Sequence, residues 1–152
     1  MITSALVSWL HVLGVALGLG AVLARGALLR SAPLTDETRD RVLLVDSVWG
    51  VSALVLLPTG LFRAFGGLEK GTDFYAHSAL FWLKMVLVVV VLALEMWPMA
   101  TLIKWRIAIA KGAPVDLSRA PTFGAISFVQ GGALVLIMAC AAFMARGFLQ
   151  VR

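Results

Sequence analysis

The chain has 152 residues, of which 61% are hydrophobic and only 14% charged, and its mean hydropathy is +0.98. Soluble domains carry roughly a quarter charged residues, so this composition excludes a soluble enzyme and requires an integral membrane protein. The formal charge of +5 then reflects basic residues at membrane edges and not a nucleic-acid footprint.

Four apolar stretches, about 3–24, 43–62, 79–101 and 122–145, are each near or above the roughly 20 residues that cross the hydrocarbon as a helix. Their backbone polar groups must be paired within the membrane, and the runs are continuous, not alternating, so a barrel is excluded. The expected fold is all-α: one transmembrane domain over 1–152, a bundle of four helices joined up-down-up-down by short connections.

The first stretch, "MITSALVSWLHVLGVALGLGAVLARGALLR", has no basic leader and too long an apolar run for a signal-peptide core, so it reads as a retained span. It sets His11, Gly14 and Gly18 on one helix face, the glycines in GxxxG spacing, and carries Arg25 near its far end. Residues 31–42 read as a polar turn with a helix-start signal in "APLTDET". Span two brings Asp46, Trp49, Gly60 and Arg63, with Pro58 expected to kink it. The glycine-rich connection 64–78 holds Glu69, Asp73, Tyr75 and His77.

Span three opens as "FWLKMVLVVVVLALEMW". Lys84 and Glu95 lie eleven residues apart, about 16 Å and three turns, and so share a face at opposite depths. Pro98 is expected to disturb its end, and Pro121 suits the first turn of span four. That last span contributes Ser127, Gln130, Met138 and Cys140. With a single cysteine no disulfide or structural zinc motif is available within the chain.

Connections one and three carry Arg25, Arg30, Arg39, Arg41, Lys104, Arg106, Lys111 and Arg119, against Arg63, Lys70, Arg146 and Arg152 on the other side. The positive-inside rule therefore puts both termini and the 64–78 loop outside, periplasmic for a multi-pass protein of a bacterial inner membrane.

Charges in a span cost a few kcal/mol at least, so each needs a partner, an interface or a task. Depth sorts them into two layers. The inner layer is Arg25, Asp46 and Glu95: Arg25 and Asp46 are placed to pair across the first hairpin, and Glu95 to reach Arg25 or turn toward Lys104. These charges read as structural pairs or as a proton path. In the outer layer His11, Arg63 and Lys84 come from three helices at comparable depth, with Tyr75, Trp82 and His77 at the mouth. Three bases without a nearby acid in a low-dielectric site call for an anionic ligand. Haem or porphyrin propionates, a lipid headgroup or a quinol would serve, with Glu69 and Asp73 as rival partners. An imidazole beside a glycine-smoothed face is also how a helix ligates iron and admits a flat macrocycle. Met138 is the rival for a second ligand but ordinarily packs.

The order "SWLHVLGVALGLGAVLARGALLR", "TGLFRAF", "FWLKMVLVVVVLALEMW" resembles, over essentially the whole chain, a family of small four-span bacterial membrane proteins of uncharacterised activity. It is more distantly similar to the haem-binding J-type protoporphyrinogen oxidases and the copper-resistance D-type membrane domains. The shared positions are the first-span histidine at His11, the Gly60–Leu61 pair and the "WLKM" opening of span three. Glu95 stands where the oxidases tend to have histidine. That resemblance implies a haem b or related porphyrin site, with His11 as metal ligand, Lys84 and Arg63 on propionates, and Trp82 and Tyr75 shaping the mouth. An oxidoreductase built this way would pass electrons to quinone or another membrane carrier.

The alternative reading is a non-enzymatic accessory subunit or a small solute- or ion-handling protein. Under either reading the bilayer is the solvent, nucleic acid is no partner, and the small size favours a homo-oligomer or a larger complex. Whether the chain is an enzyme stays open; no GxGxxG, P-loop, HExxH or nucleophile elbow occurs in it.

Overall fold

The computed structural model describes residues 2–67 and 72–148, apart from the side chains of residues 72 and 73. Glu69, Lys70 and the side chain of Asp73 therefore lie outside the described residues. Four long helices account for nearly all of the rest: α1 (Ile2–Arg30), α2 (Asp36–Phe65), α4 (Ala79–Ala110) and α5 (Ala120–Ala145). A short α3 (Thr72–Ala76) sits before α4. There is no strand among the described residues. All four long helices have the length and hydropathy to cross a membrane.

The helices outrun their apolar cores. They contain 26 to 32 residues, about 39–48 Å at 1.5 Å per residue, against about 30 Å of hydrocarbon. The first connection, expected over 31–42, is only 31–35, because α2 already starts at Asp36. The Thr35 hydroxyl accepts the Thr38 N–H at 3.2 Å, and Arg39–Asp36 and Arg41–Glu37 pairs at 2.8 and 2.6 Å brace the first turns. In the same way α4 continues to Ala110, beyond the expected end near 101. Neither Pro58 nor Pro98 terminates its helix. Pro121 does stand in the first turn of α5, as its missing N–H favours.

Around the bundle the order is α2, α1, α5, α4, with close backbone approach at the first three seams and a wider gap between α4 and α2. Glycine makes two of the close seams. A Cβ on Gly18 would lie 3.2 Å from the Ser52 Cβ and 3.3 Å from the Trp49 ring, and one on Gly14 would lie 3.2 Å from Leu56. Between α1 and α5, a Cβ on Gly26 would lie 3.2 Å from the Gly124 carbonyl oxygen. Side chains fill the wide seam instead. Trp49 from α2 packs with Val91 of α4 and with Ala21, Val22, Ala133 and Leu134. Phe65 meets Phe81 edge-on at 6.1 Å near the end bearing the termini. Outward, large apolar side chains such as Val12, Leu54, Val89 and Val129 stay exposed on all four helices, as lipid contact requires.

A matched pair of glycines tests this packing. Gly20, two residues from Gly18, has no neighbour within 4 Å of an added Cβ. Gly18→Ile should cost about 1–3 kcal/mol through overpacking, read as unfolding at lower dodecyl sulfate fraction in mixed micelles, while Gly20→Ile stays near wild type.

A buried guanidinium cluster as the candidate functional site

Every long helix sends a polar side chain to one point in the bundle. Arg25 of α1 is 0% exposed there, and each of its five N–H groups has an acceptor. Nε donates to Ser127 Oγ at 3.0 Å. Nη1 donates to Asp46 Oδ1 at 2.8 Å and to Glu95 Oε1 at 2.7 Å. Nη2 donates to Glu95 Oε2 at 2.7 Å and to Gln130 Oε1 at 3.0 Å. Glu95 thus holds the guanidinium in a two-pronged grip, the strongest geometry for this pair.

The acceptors are themselves oriented. Gln130 Nε2 donates to Glu95 Oε2 at 2.8 Å and to the Val91 carbonyl at 3.2 Å. Ser127 Oγ donates to the Phe123 carbonyl at 2.9 Å, leaving its lone pairs for Arg25. Asp46 Oδ2 takes a 2.8 Å bond from Arg106 Nη2, which also reaches the Leu43 carbonyl at 2.8 Å. Two guanidinium groups and two carboxylates balance in charge, so the low-dielectric interior holds no net ion. Exposure grades along the chain of contacts: the Asp46 and Glu95 side chains are 14% and 13% exposed, and Arg106 is 38% exposed.

The structure therefore brings Arg25, Asp46 and Glu95 together, with Glu95 turned to Arg25 and Gln130. Lys104 is exposed on α4. Sequence reasoning left Ser127 and Gln130 without a role and treated Arg106 as a connection base. Arg106 lies beyond the apolar run of span three, and only the continuation of α4 to Ala110 reveals it as a member of the cluster.

The outer layer is arranged differently. His11 Nδ1 lies 2.9 Å from Thr59 Oγ1. The Thr59 hydroxyl gives its proton to the Val55 carbonyl at 2.6 Å, which leaves a lone pair on its oxygen for a protonated Nδ1. On the glycine face beside His11, α2 side chains lie against Gly14 and Gly18, and the His11 ring lies 3.2 Å from where a Cβ on Gly60 would stand. Lys84 Nζ lies 5.2 Å from the centre of the Phe81 ring, within an aromatic group in which Phe81 also meets buried Tyr75 and exposed Trp82 at 5.6 Å. Trp82 Nε1 donates to the Ala76 carbonyl at 3.0 Å. Arg63 is half-buried in the last turn of α2, and His77 is exposed in the turn after α3. Met138 is exposed on α5. Among the described residues no three His, Cys, Asp or Glu side chains are grouped as around a metal ion.

Residues 3–148 match the family described as "Predicted membrane protein (DUF2214)". The chain belongs to that family. No curated protein and no solved structure matches it, and the comparisons give no support to a likeness with the J-type oxidases or the copper-resistance D-type domains. Within this DUF2214 chain the buried cluster is where polar side chains from all four long helices meet.

Leaving Glu95 without its buried counter-charge, and Asp46 with Arg106 alone, costs about 3–5 kcal/mol, whereas an exposed pair is worth about 0–1 kcal/mol. Arg25→Met should therefore destabilise the protein by that larger amount, and Arg39→Gln, which breaks only exposed pairs, by less than about 1 kcal/mol. Equilibrium unfolding in mixed micelles checks both.

Proposed function

We propose that this membrane protein handles protons or small ions within the bilayer and is not an enzyme, with Asp46 and Glu95 as the exchangeable groups and Arg25 as their fixed counter-charge. The observation carrying this reading is the shared guanidinium. Arginine does not deprotonate in proteins, whereas a carboxylate can take up a proton or release its partner. Neutralising Asp46 or Glu95 would leave the cluster with one surplus positive charge. That imbalance weakens the hold on Arg25 or frees Arg106 from Asp46, at the seam where backbones are already apart. The graded exposure from Arg106 to Asp46 gives the cluster a route to the basic end of the bundle. Ionisable residues inside spans pair with one another and also mark ion paths and proton relays.

In this reading the basic end faces the cytoplasm and both termini the periplasm of a bacterial inner membrane. A second copy or a partner subunit completes the path, because four spans enclose little room for a private one.

The second reading is a haem b or related cofactor at His11, with Lys84, Arg63, Trp82 and Tyr75 around it and quinone as electron partner. Its support is the Thr59 contact, which fixes one ring nitrogen as second partners of ligating histidines do. Against it stands the packing of α2 on the glycine face.

One preparation tests both. Purified protein reconstituted in liposomes with an internal pH dye should dissipate an imposed proton gradient faster than empty vesicles, and Glu95→Gln should return the rate to that baseline. Wild-type vesicles no leakier than empty ones would contradict the ion-handling reading. The same preparation should show no Soret band after dithionite reduction; a band abolished by His11→Ala would reinstate haem.

A further inference from the structure

We propose that the basic end of the bundle carries a binding patch for anionic phospholipid headgroups, formed by Arg30, Lys104, Lys111 and Arg119. The charges at this end are sorted by helix. On α2 the acids Asp36, Glu37 and Asp40 are taken by Arg39 and Arg41 at 2.6 to 3.2 Å. Arg106 is committed to Asp46. Among the described residues no carboxylate lies within ion-pair distance of Arg30, Lys104, Lys111 or Arg119, and these four stand on α1, on α4 and at the start of α5. The sole acid in that sector is Asp116. Its carboxyl is held below the usual carboxylate range by the hydroxyl and backbone N–H of Ser118 and, more weakly, by the charge of Arg119. It is therefore ionised and must be counted, which leaves a surplus of three positive charges in this sector (four bases less one acid), or two once the three α2 acids are set against Arg39 and Arg41.

Geometry makes the surplus a surface for a lipid and not a scatter of bases. Trp97, Lys104 and Lys111 recur at seven-residue intervals, two turns of helix with about 20° of drift each, so Trp97 and Lys104 line one stripe of α4 and Lys111 caps its end. Arg119 lies 5.2 Å from the centre of the Trp97 ring, which closes the stripe against α5. On the other side of α5, Arg30 lies across Gly124 and 6.0 Å from the Phe128 ring centre. Trp97, Ile103, Ile107 and Phe128 beside these bases are exposed and apolar. A phospholipid meets both demands: its phosphate satisfies bases at headgroup depth while its chains cover the apolar belt below them. An acidic protein would match only the first.

The test uses intact protein in mixed micelles doped with chain-brominated phosphatidylglycerol or brominated phosphatidylcholine, read by tryptophan quenching. Trp97 stands inside the patch, whereas exposed Trp9 and Trp82 belong to the opposite end and report both lipids alike. The account expects tighter apparent binding of phosphatidylglycerol, with the preference falling roughly five-fold for each base removed in Lys104→Gln/Arg119→Gln. Arg39→Gln/Arg41→Gln, which removes only self-paired bases, should keep the preference. For the wild type, salt of roughly 1 M, where the screening length is near 3 Å, should erase it. Equal quenching by the two lipids in the wild type overturns the proposal. So does a preference that survives in the first double variant, or one lost equally in the second.

Discussion

A guanidinium that is never neutral, placed where no water reaches it, must find five hydrogen-bond acceptors in the protein or cost several kcal/mol. Arg25 finds all five, and they come from the other three long helices. This requirement fixes more than one contact. Rotating α5 by one residue withdraws Gln130 and Ser127 together, and sliding α4 withdraws both prongs of Glu95. In lipid, where apolar side chains gain little by leaving one neighbour for another, a fully satisfied polar network is what can choose among rotations of otherwise similar apolar helices.

The same requirement accounts for the uneven seams. Glycines at 14, 18, 26 and 124 draw α1 against α2 and α5, while α4 stays further from α2. Trp49 fills that gap at mid-depth, and Arg106 bridges it toward the basic end, reaching both the Asp46 carboxylate and the Leu43 carbonyl. The polar cluster therefore lies against the one seam held by side chains and not by backbone contact. Such a seam is held apart from the glycine interfaces, and the proposed exchange at Asp46 and Glu95 rests on that separation.

The four spans and their order were legible from hydropathy, because in a membrane an apolar run of sufficient length has only one structural outcome. The nearness of Arg25, Asp46 and Glu95 was legible from depth alone. Helix ends were not: residues 36–42 and 102–110 are polar or mixed, and at the start of α2 the Thr35 cap and the Arg39–Asp36 and Arg41–Glu37 pairs hold the helix outside the hydrocarbon. That error in α4 hid Arg106. Gln130 could not be assigned because its facing depends on how closely α1 and α5 approach at Gly26 and Gly124. The His11–Gly14–Gly18 face carried a real signal of close approach, yet a stripe of small residues accepts a helix as readily as a ligand, and here it accepts α2.

The central claim is that Arg25 and Glu95 are energetically coupled as the bundle's organising pair. A double-mutant cycle of Arg25→Met and Glu95→Leu, measured by equilibrium unfolding in mixed micelles, tests it most directly. The account predicts a coupling energy of about 2–3 kcal/mol, the upper end for contacting residues, with the double variant less damaged than the two single losses sum to. Additivity within about 0.5 kcal/mol would contradict it.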